Sequence, residues 1–217
     1  KKDNPAFGLS LAGVTFAVTI LLSGTVYGDP DGTVLDSAIY IAAFGALGIV
    51  LMALTRIIFD KIALPDVSLR DEISRGNMAV AIADTGNILA AAIIIRAVMI
   101  WVTDNSFEGL LALFVGYGIS QVILTGITYL RRHVFSFVYK GHHIQEELKN
   151  GNVALALSFA GKKIGTAFAI SMAANIVVYE IYDIQSIFVP WIIVSIASIV
   201  ILTILSFIAE FIILFRV

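Results

Sequence analysis

The chain has 217 residues, 59% of them hydrophobic and 14% charged, with no cysteine and a formal net charge of -2. Soluble domains carry about 25% charged residues, so the composition excludes an ordinary water-soluble domain and points to the bilayer. Without cysteine there are no disulfides, no thiolate metal sites and no thiol catalysis.

A hydrocarbon core about 30 Å thick takes roughly 20 apolar residues in a helix. Along the chain, runs 5–26, 36–58, 77–101, 108–130, 152–178 and 187–214 meet that length. The first follows Lys1 and Lys2 and lacks the short core and small-residue cleavage pattern of a signal peptide, so it reads as a retained helix. In the second, Gly45, Gly48 and Thr55 interrupt an otherwise apolar or alanine stretch between Ile39 and Leu54. Helices are expected, and not open strands, because each satisfies its own backbone polar groups in lipid.

The intervening segments alternate in charge. Segments 27–36, 102–107 and 179–186 hold Asp29, Asp31, Asp36, Asp104, Glu180 and Asp183 and no Lys or Arg. The opposite side carries Lys1, Lys2, Arg56, Lys61, Arg70, Arg75, Arg131, Arg132, Lys140, Lys149 and Arg216. The positive-inside rule makes that side cytoplasmic and puts both termini there. Trp101, Tyr182 and Trp191 fall near the outer boundary, where amphipathic rings prefer to sit.

The chain also repeats itself. Asn4 opens N-P-A-F-G-L-S-L-A-G, Asn77 opens N-M-A-V-A-I-A-D-T-G, and Asn152 opens N-V-A-L-A-L-S-F-A-G, at offsets of 73 and 75 residues. The reading is three tandem helical hairpins, spanning 4–62, 66–140 and 144–217, in one all-α membrane domain. Gly76 and Gly151 are placed to end a short inner helix in the left-handed conformation, and Asn4, Asn77 and Asn152 to cap the next one. Segments Val67–Arg75 and Ile144–Asn150 mix apolar and charged residues, as a helix on the inner membrane surface would.

Within the odd-numbered spans, small residues recur at i, i+4, i+7 and i+11. They are Ala6, Ser10, Gly13 and Ala17, then Ala79, Ala83, Gly86 and Ala90, then Ala154, Ser158, Gly161 and Gly165. Each set lies on one helix face, and small faces let helices approach closely in lipid. The expectation is that spans 1, 3 and 5 pack through one repeated surface.

The pattern N-x-A-x-[small]-x-x-x-x-G after a basic loop resembles the YjfL-like bacterial inner-membrane proteins, the family of domain of unknown function 350. The resemblance is closest over Asn77–Gly86 and Asn152–Gly161 and extends to Asn4–Gly13. It implies repeated hairpins and a bacterial inner-membrane location, and it brings no established activity.

Ionisable residues inside spans cost roughly 2.5–3.5 kcal/mol each on insertion scales and mark candidate sites. Here they are Asp84, Lys162, Lys163 and Glu210. At 1.5 Å per residue Asp84 lies about 10 Å from the inner boundary, Lys162 about 15 Å and Glu210 about 9 Å. Asn87 shares a helix face with Asp84 and corresponds by repeat to Lys162, so Asp84 or Asn87 is expected to meet Lys162 of the neighbouring repeat. Gln121 sits at similar depth. This set reads either as an ion-pair and hydrogen-bond network that fixes helix register or as a conduction path. Arg96, five residues before Trp101, is expected to reach the outer headgroups.

His133, His142 and His143 lie in the 131–151 loop without the carboxylate or cysteine spacing of a metal site. No P-loop, G-x-G-x-x-G, H-E-x-x-H or G-x-S-x-G occurs. The expectation is therefore no enzyme, no cofactor, no bound metal and no nucleic-acid partner. The expected partners are the bilayer and either further copies of the chain or another membrane protein.

Overall fold

The computed structural model describes residues 3–25, 33–102, 107–138, 140–178 and 183–214, with side chains 36, 37, 40, 184, 210, 213 and 214 also outside the described set. Its helices are α1 (Pro5–Thr25), α2 (Val34–Ile58), α3 (Leu69–Ser74), α4 (Met78–Trp101), α5 (Phe107–Val138), α6 (Ile144–Lys149), α7 (Val153–Ile176) and α8 (Val189–Leu214). Two wide π-type segments, Phe59–Ala63 and Ile184–Phe188, extend α2 and lead into α8. Among the described residues, six helices are long and apolar enough to cross a membrane, and no strand occurs.

Helix ends follow local chemistry. Asn77 Oδ1 accepts from Val80 N, Asn152 Oδ1 from Leu155 N and Asn4 Oδ1 from Phe7 N, which satisfies amides that the first turn leaves free. Gly76 (φ 89°) and Gly151 (φ 80°) hold the left-handed conformation that closes α3 and α6. The span expected to end at residue 130 instead continues to Val138, and that extension gives α6 a wall to lie against.

The centre of the bundle is a row of three helices, with α4 between α1 and α7. Glycine sets the spacing. A Cβ on Gly13 would lie 2.7 Å from Thr85 Cγ2, and one on Gly86 would lie 2.5 Å from Ala160 Cβ. Backbones this close gain dispersion contacts that lipid tails cannot supply at such density. Outside the row, α2 leans on α1 and α4, α5 touches α4 and α7, and α8 lies along α7.

Beneath one end of the row, α3 and α6 bury Leu69, Ile73, Ile144 and Leu148 in a second apolar cluster with Ala6, Phe59 and Phe159. They are thus docked on the bundle through one face while Arg70 and Lys149 stay exposed. At the other end Trp101 and Trp191 are buried. Their rings stack at 5.3 Å, Phe188 meets both edge-on, and Trp101 Nε1 donates to the Val177 carbonyl at 2.6 Å. Both tryptophans stand at helix ends, Trp101 closing α4 and Trp191 in the first turn of α8, where the turn into α8 folds Phe188 and Trp191 over the end of α4. Tyr182 lies outside the described residues.

Candidate functional site within the helix bundle

The polar residues at depth form three separate groups and not one cluster. The first joins α1, α2 and α4. Asp84 is fully buried, and its Oδ2 accepts from Arg56 Nη2 at 2.8 Å and from Ser10 Oγ at 3.0 Å. Arg56 ends α2 and stands 21 residues before Asn77, so its long side chain can reach back to the middle row. Asp84, expected with Asn87 to meet Lys162, is paired by Arg56 of α2, while Lys162 lines the cavity between α5, α6, α7 and α8. Asp84 Oδ1 and Asn87 Nδ2 have no protein partner among the described residues, nor does Gln121 Nε2 on α5.

The second group is Lys163 on α7. It is 3% exposed, with Nζ 4.1 Å from the Phe59 ring centroid and 5.8 Å from that of Phe159. The two rings tilt against one another at 6.2 Å. A desolvated ammonium over aromatic faces gains about 2 kcal/mol, which offsets part of its burial cost. Phe159 is the residue that the repeat spacing aligns with Asp84, so an aromatic face holds a cation where the preceding copy holds an acid.

The third group lines a cavity of about 590 Å³ bounded by α5, α6, α7 and α8. Its described lining includes Arg131, Ser158, Gly161, Lys162, Gly165, Leu202 and Ser206. Arg131, which stands 21 residues before Asn152 as Arg56 does before Asn77, donates from Nη2 to Thr166 Oγ1 at 3.0 Å. A second cavity of about 610 Å³, between α1, α2 and α3, is lined by Phe7, Ser10, Val14, Arg56 and Asp60. The Glu210 side chain lies outside the described set.

Sequence reasoning assigned Arg56 and Arg131 to the basic loops and so missed both as bundle residues. The available signal was that Arg56 ends an apolar run without a break, with Asp84 the acid at comparable depth. Also missed was the α2–α5 link, in which Tyr117 Oη donates to the Leu51 carbonyl and lies 3.0 Å from Thr55 Oγ1. Arg96 donates from Nε to Ser23 Oγ on α1 at 2.9 Å, a contact between α4 and α1 that the sequence did not point to.

The small residues divide by helix. On α1 and α4 they are buried, Ala6, Ser10, Gly13 and Ala17 facing α4 and Ala79, Ala83, Gly86 and Ala90 packed inside. On α7, Ala154, Ser158 and Gly161 are exposed, and Leu202 of α8 covers Gly165.

Among the described residues no three of His, Asp and Glu are grouped to hold a metal. The His133 ring lies tilted against Tyr129, and His142 Nδ1 lies 3.2 Å from Glu147 Oε1.

The family model described as Domain of Unknown Function (DUF350) matches the chain over residues 1–99, 32–137 and 104–217. The chain belongs to the DUF350 family. The three matches overlap and together span the whole sequence, each covering more than one hairpin. Comparison with curated proteins and with solved structures gave no match. DUF350 membership thus agrees with the all-helical membrane architecture and leaves the chemistry of this DUF350 chain to be read from its geometry.

Proposed function

We propose that the protein is a non-enzymatic membrane scaffold or accessory subunit that associates with itself or with a membrane partner through its small-residue helix faces and basic-end loops. The observation carrying this reading is the α1–α4–α7 row. Close glycine contacts hold α4 against α1 at Gly13–Thr85 and against α7 at Gly86–Ala160, as helix-packing surfaces do in lipid. The deepest acid is neutralised by Arg56, as structural glue would be. The bilayer is the bacterial inner membrane, with both termini and the α3/α6 end cytoplasmic, on the strength of the basic residues gathered there. Because the chain has no cysteine, single introduced cysteines at positions 70 and 149 report sidedness cleanly; labelling from outside intact cells would reverse the orientation.

The test of function is reconstitution in liposomes, with proton, potassium, sodium and chloride flux measured beside self-association in nanodiscs. Association without flux is the expected outcome. Protein that stays monomeric and captures no membrane partner overturns the scaffold reading.

A second reading, an ion, proton or small-solute pathway, draws on Asp84 Oδ1, Asn87 Nδ2 and Gln121 Nε2, buried polar atoms of the kind that hold water. Flux in the native chain that disappears in both Asp84→Asn and Lys163→Met would establish it over the first.

A further inference from the structure

Among the described residues the same helix contact is made twice, and both halves of a third are open. Gly13 of α1 meets Thr85 of α4, and Gly86 of α4 meets Ala160 of α7. These pairs are equivalent under the repeat spacing: 13 aligns with 86, and 85 with 160. The next member of the series is Gly161, and a Cβ there would touch nothing within 4 Å. Its counterpart, one repeat before Thr85, is Ala12 of α1, which is exposed.

The asparagines follow the same progression. Asn4 Nδ2 donates to the Ile73 and Ser74 carbonyls, and Asn77 Nδ2 to those of Leu148 and Lys149. Among the described residues Asn152 Nδ2 donates to Glu147 Oε2 in its own hairpin, as Asn77 Nδ2 does to Glu72 Oε2, and to no carbonyl of another hairpin.

The faces left over suit each other. The α1 positions equivalent to the buried Ala81, the half-buried Thr85 and the buried Ile88 are Gly8, Ala12 and Thr15, all exposed and all small. Thr15 Oγ1 already donates to the Leu11 carbonyl, so burying it against another helix strands no polar group. Opposite, Ser158 and Gly161 form the floor of the 590 Å³ groove. Leu202 occupies the far half of the α7 stripe at Gly165, which confines any contact to the half nearer α6.

Resting on the scaffold reading, we infer that the open groove on α7 receives α1 of a second copy of this chain, Ala12 against Gly161, in a head-to-tail contact that continues the α1–α4–α7 row from one molecule to the next. Such a contact is heterologous: it closes into a ring if the rotation per copy divides a full turn and otherwise extends as a chain.

The experiment uses two single-cysteine chains, Ala12→Cys and Gly161→Cys, co-expressed and oxidised in native membranes. The expected result is a disulfide-linked pair when the two are mixed, with neither variant linking efficiently alone. A companion variant, Gly161→Leu, puts a side chain into the groove from a position where a Cβ would meet nothing within 4 Å. It is expected to keep the wild-type melting temperature and to lose self-association in nanodiscs. Self-association with no 12–161 link, or undiminished in Gly161→Leu, would overturn the head-to-tail contact and leave the scaffold reading standing. Complete absence of self-association would overturn this contact, with the scaffold reading then resting on partner capture alone. A monomer that retains phospholipid in native mass spectrometry, and loses it in Gly161→Leu, would make the groove a lipid site instead.

Discussion

Replacing Gly86 by alanine tests whether backbone proximity holds the middle row together. The added methyl would stand 2.5 Å from Ala160 Cβ, 2.7 Å from Ala160 Cα and 3.4 Å from its carbonyl carbon. Two of these three atoms are backbone, so no rotamer change relieves the clash. Bringing the shortest contact to 3.4 Å requires α4 and α7 to part by about 0.9 Å locally, a gap that forfeits a quarter to a half of each neighbouring dispersion well. Overpacking of this kind costs about 1–3 kcal/mol, at the upper end when the obstacle is backbone. Alanine returns about 1 kcal/mol of helix propensity, leaving a net loss of about 2 kcal/mol. At Gly13 the obstacle is the Thr85 side chain, which can rotate, so Gly13→Ala is expected to cost less; at Gly161, with nothing near, alanine is expected to be neutral or slightly stabilising. The assay is unfolding of the three variants in mixed micelles by SDS titration, followed by tryptophan fluorescence from the Trp101/Trp191 stack. If Gly86→Ala proves as stable as wild type, or if the three variants cannot be ranked, close packing is not what holds α4 to its neighbours.

Arg56→Met leaves the fully buried Asp84 with Ser10 alone, and breaking a buried pair costs about 3–5 kcal/mol. Arg56 is 41% exposed, so the lower end is expected, and Arg56→Met with Asp84→Leu should recover most of the loss in a thermal double-mutant cycle. A double variant no better than the worse single one would mean that the charges do more than neutralise each other. Asn77→Ala removes a cap, a carboxylate bond to Glu72 and two carbonyl bonds to α6, whereas Asn152→Ala removes a cap and the carboxylate bond to Glu147. The former is expected to be the more destabilising by about 1 kcal/mol in the same unfolding assay, and equal losses would refute the inter-hairpin role of Asn77. The Asn152 amide and then the neighbouring His142 hold the Glu147 carboxyl below its ordinary 4.5. A depressed folded value contributes stability above the unfolded pKa and loses it as pH falls through the folded one, so the Glu147–Asn152 contact at the start of α7 should loosen only below about pH 4.5. A carboxyl-carbon titration of Glu147 by NMR should give a midpoint below 4.5 that rises in Asn152→Ala; an unmoved midpoint would rule out the amide as its cause.

What could be read from the sequence alone was what one helix determines by itself. Apolar length located the spans, because lipid thickness and helix rise are constants. Asn77 and Gly76 marked a helix start and stop, because capping involves only residues a few positions apart. The i, i+4, i+7 stripes marked a small face, because periodicity is a property of the helix and not of its neighbours. Which neighbour each face would meet depended on the rotation and tilt of every other helix, and those come from packing. Thus Asp84 found Arg56, 28 residues away, and not Lys162. Lys163 settled over Phe59, and Trp101 at the end of α4 stacked on Trp191 at the start of α8. The stripe common to α1, α4 and α7 was legible as a pattern. That two are covered and the third is half open was decided by the tertiary structure, since α8 lays Leu202 over only one end of the α7 face.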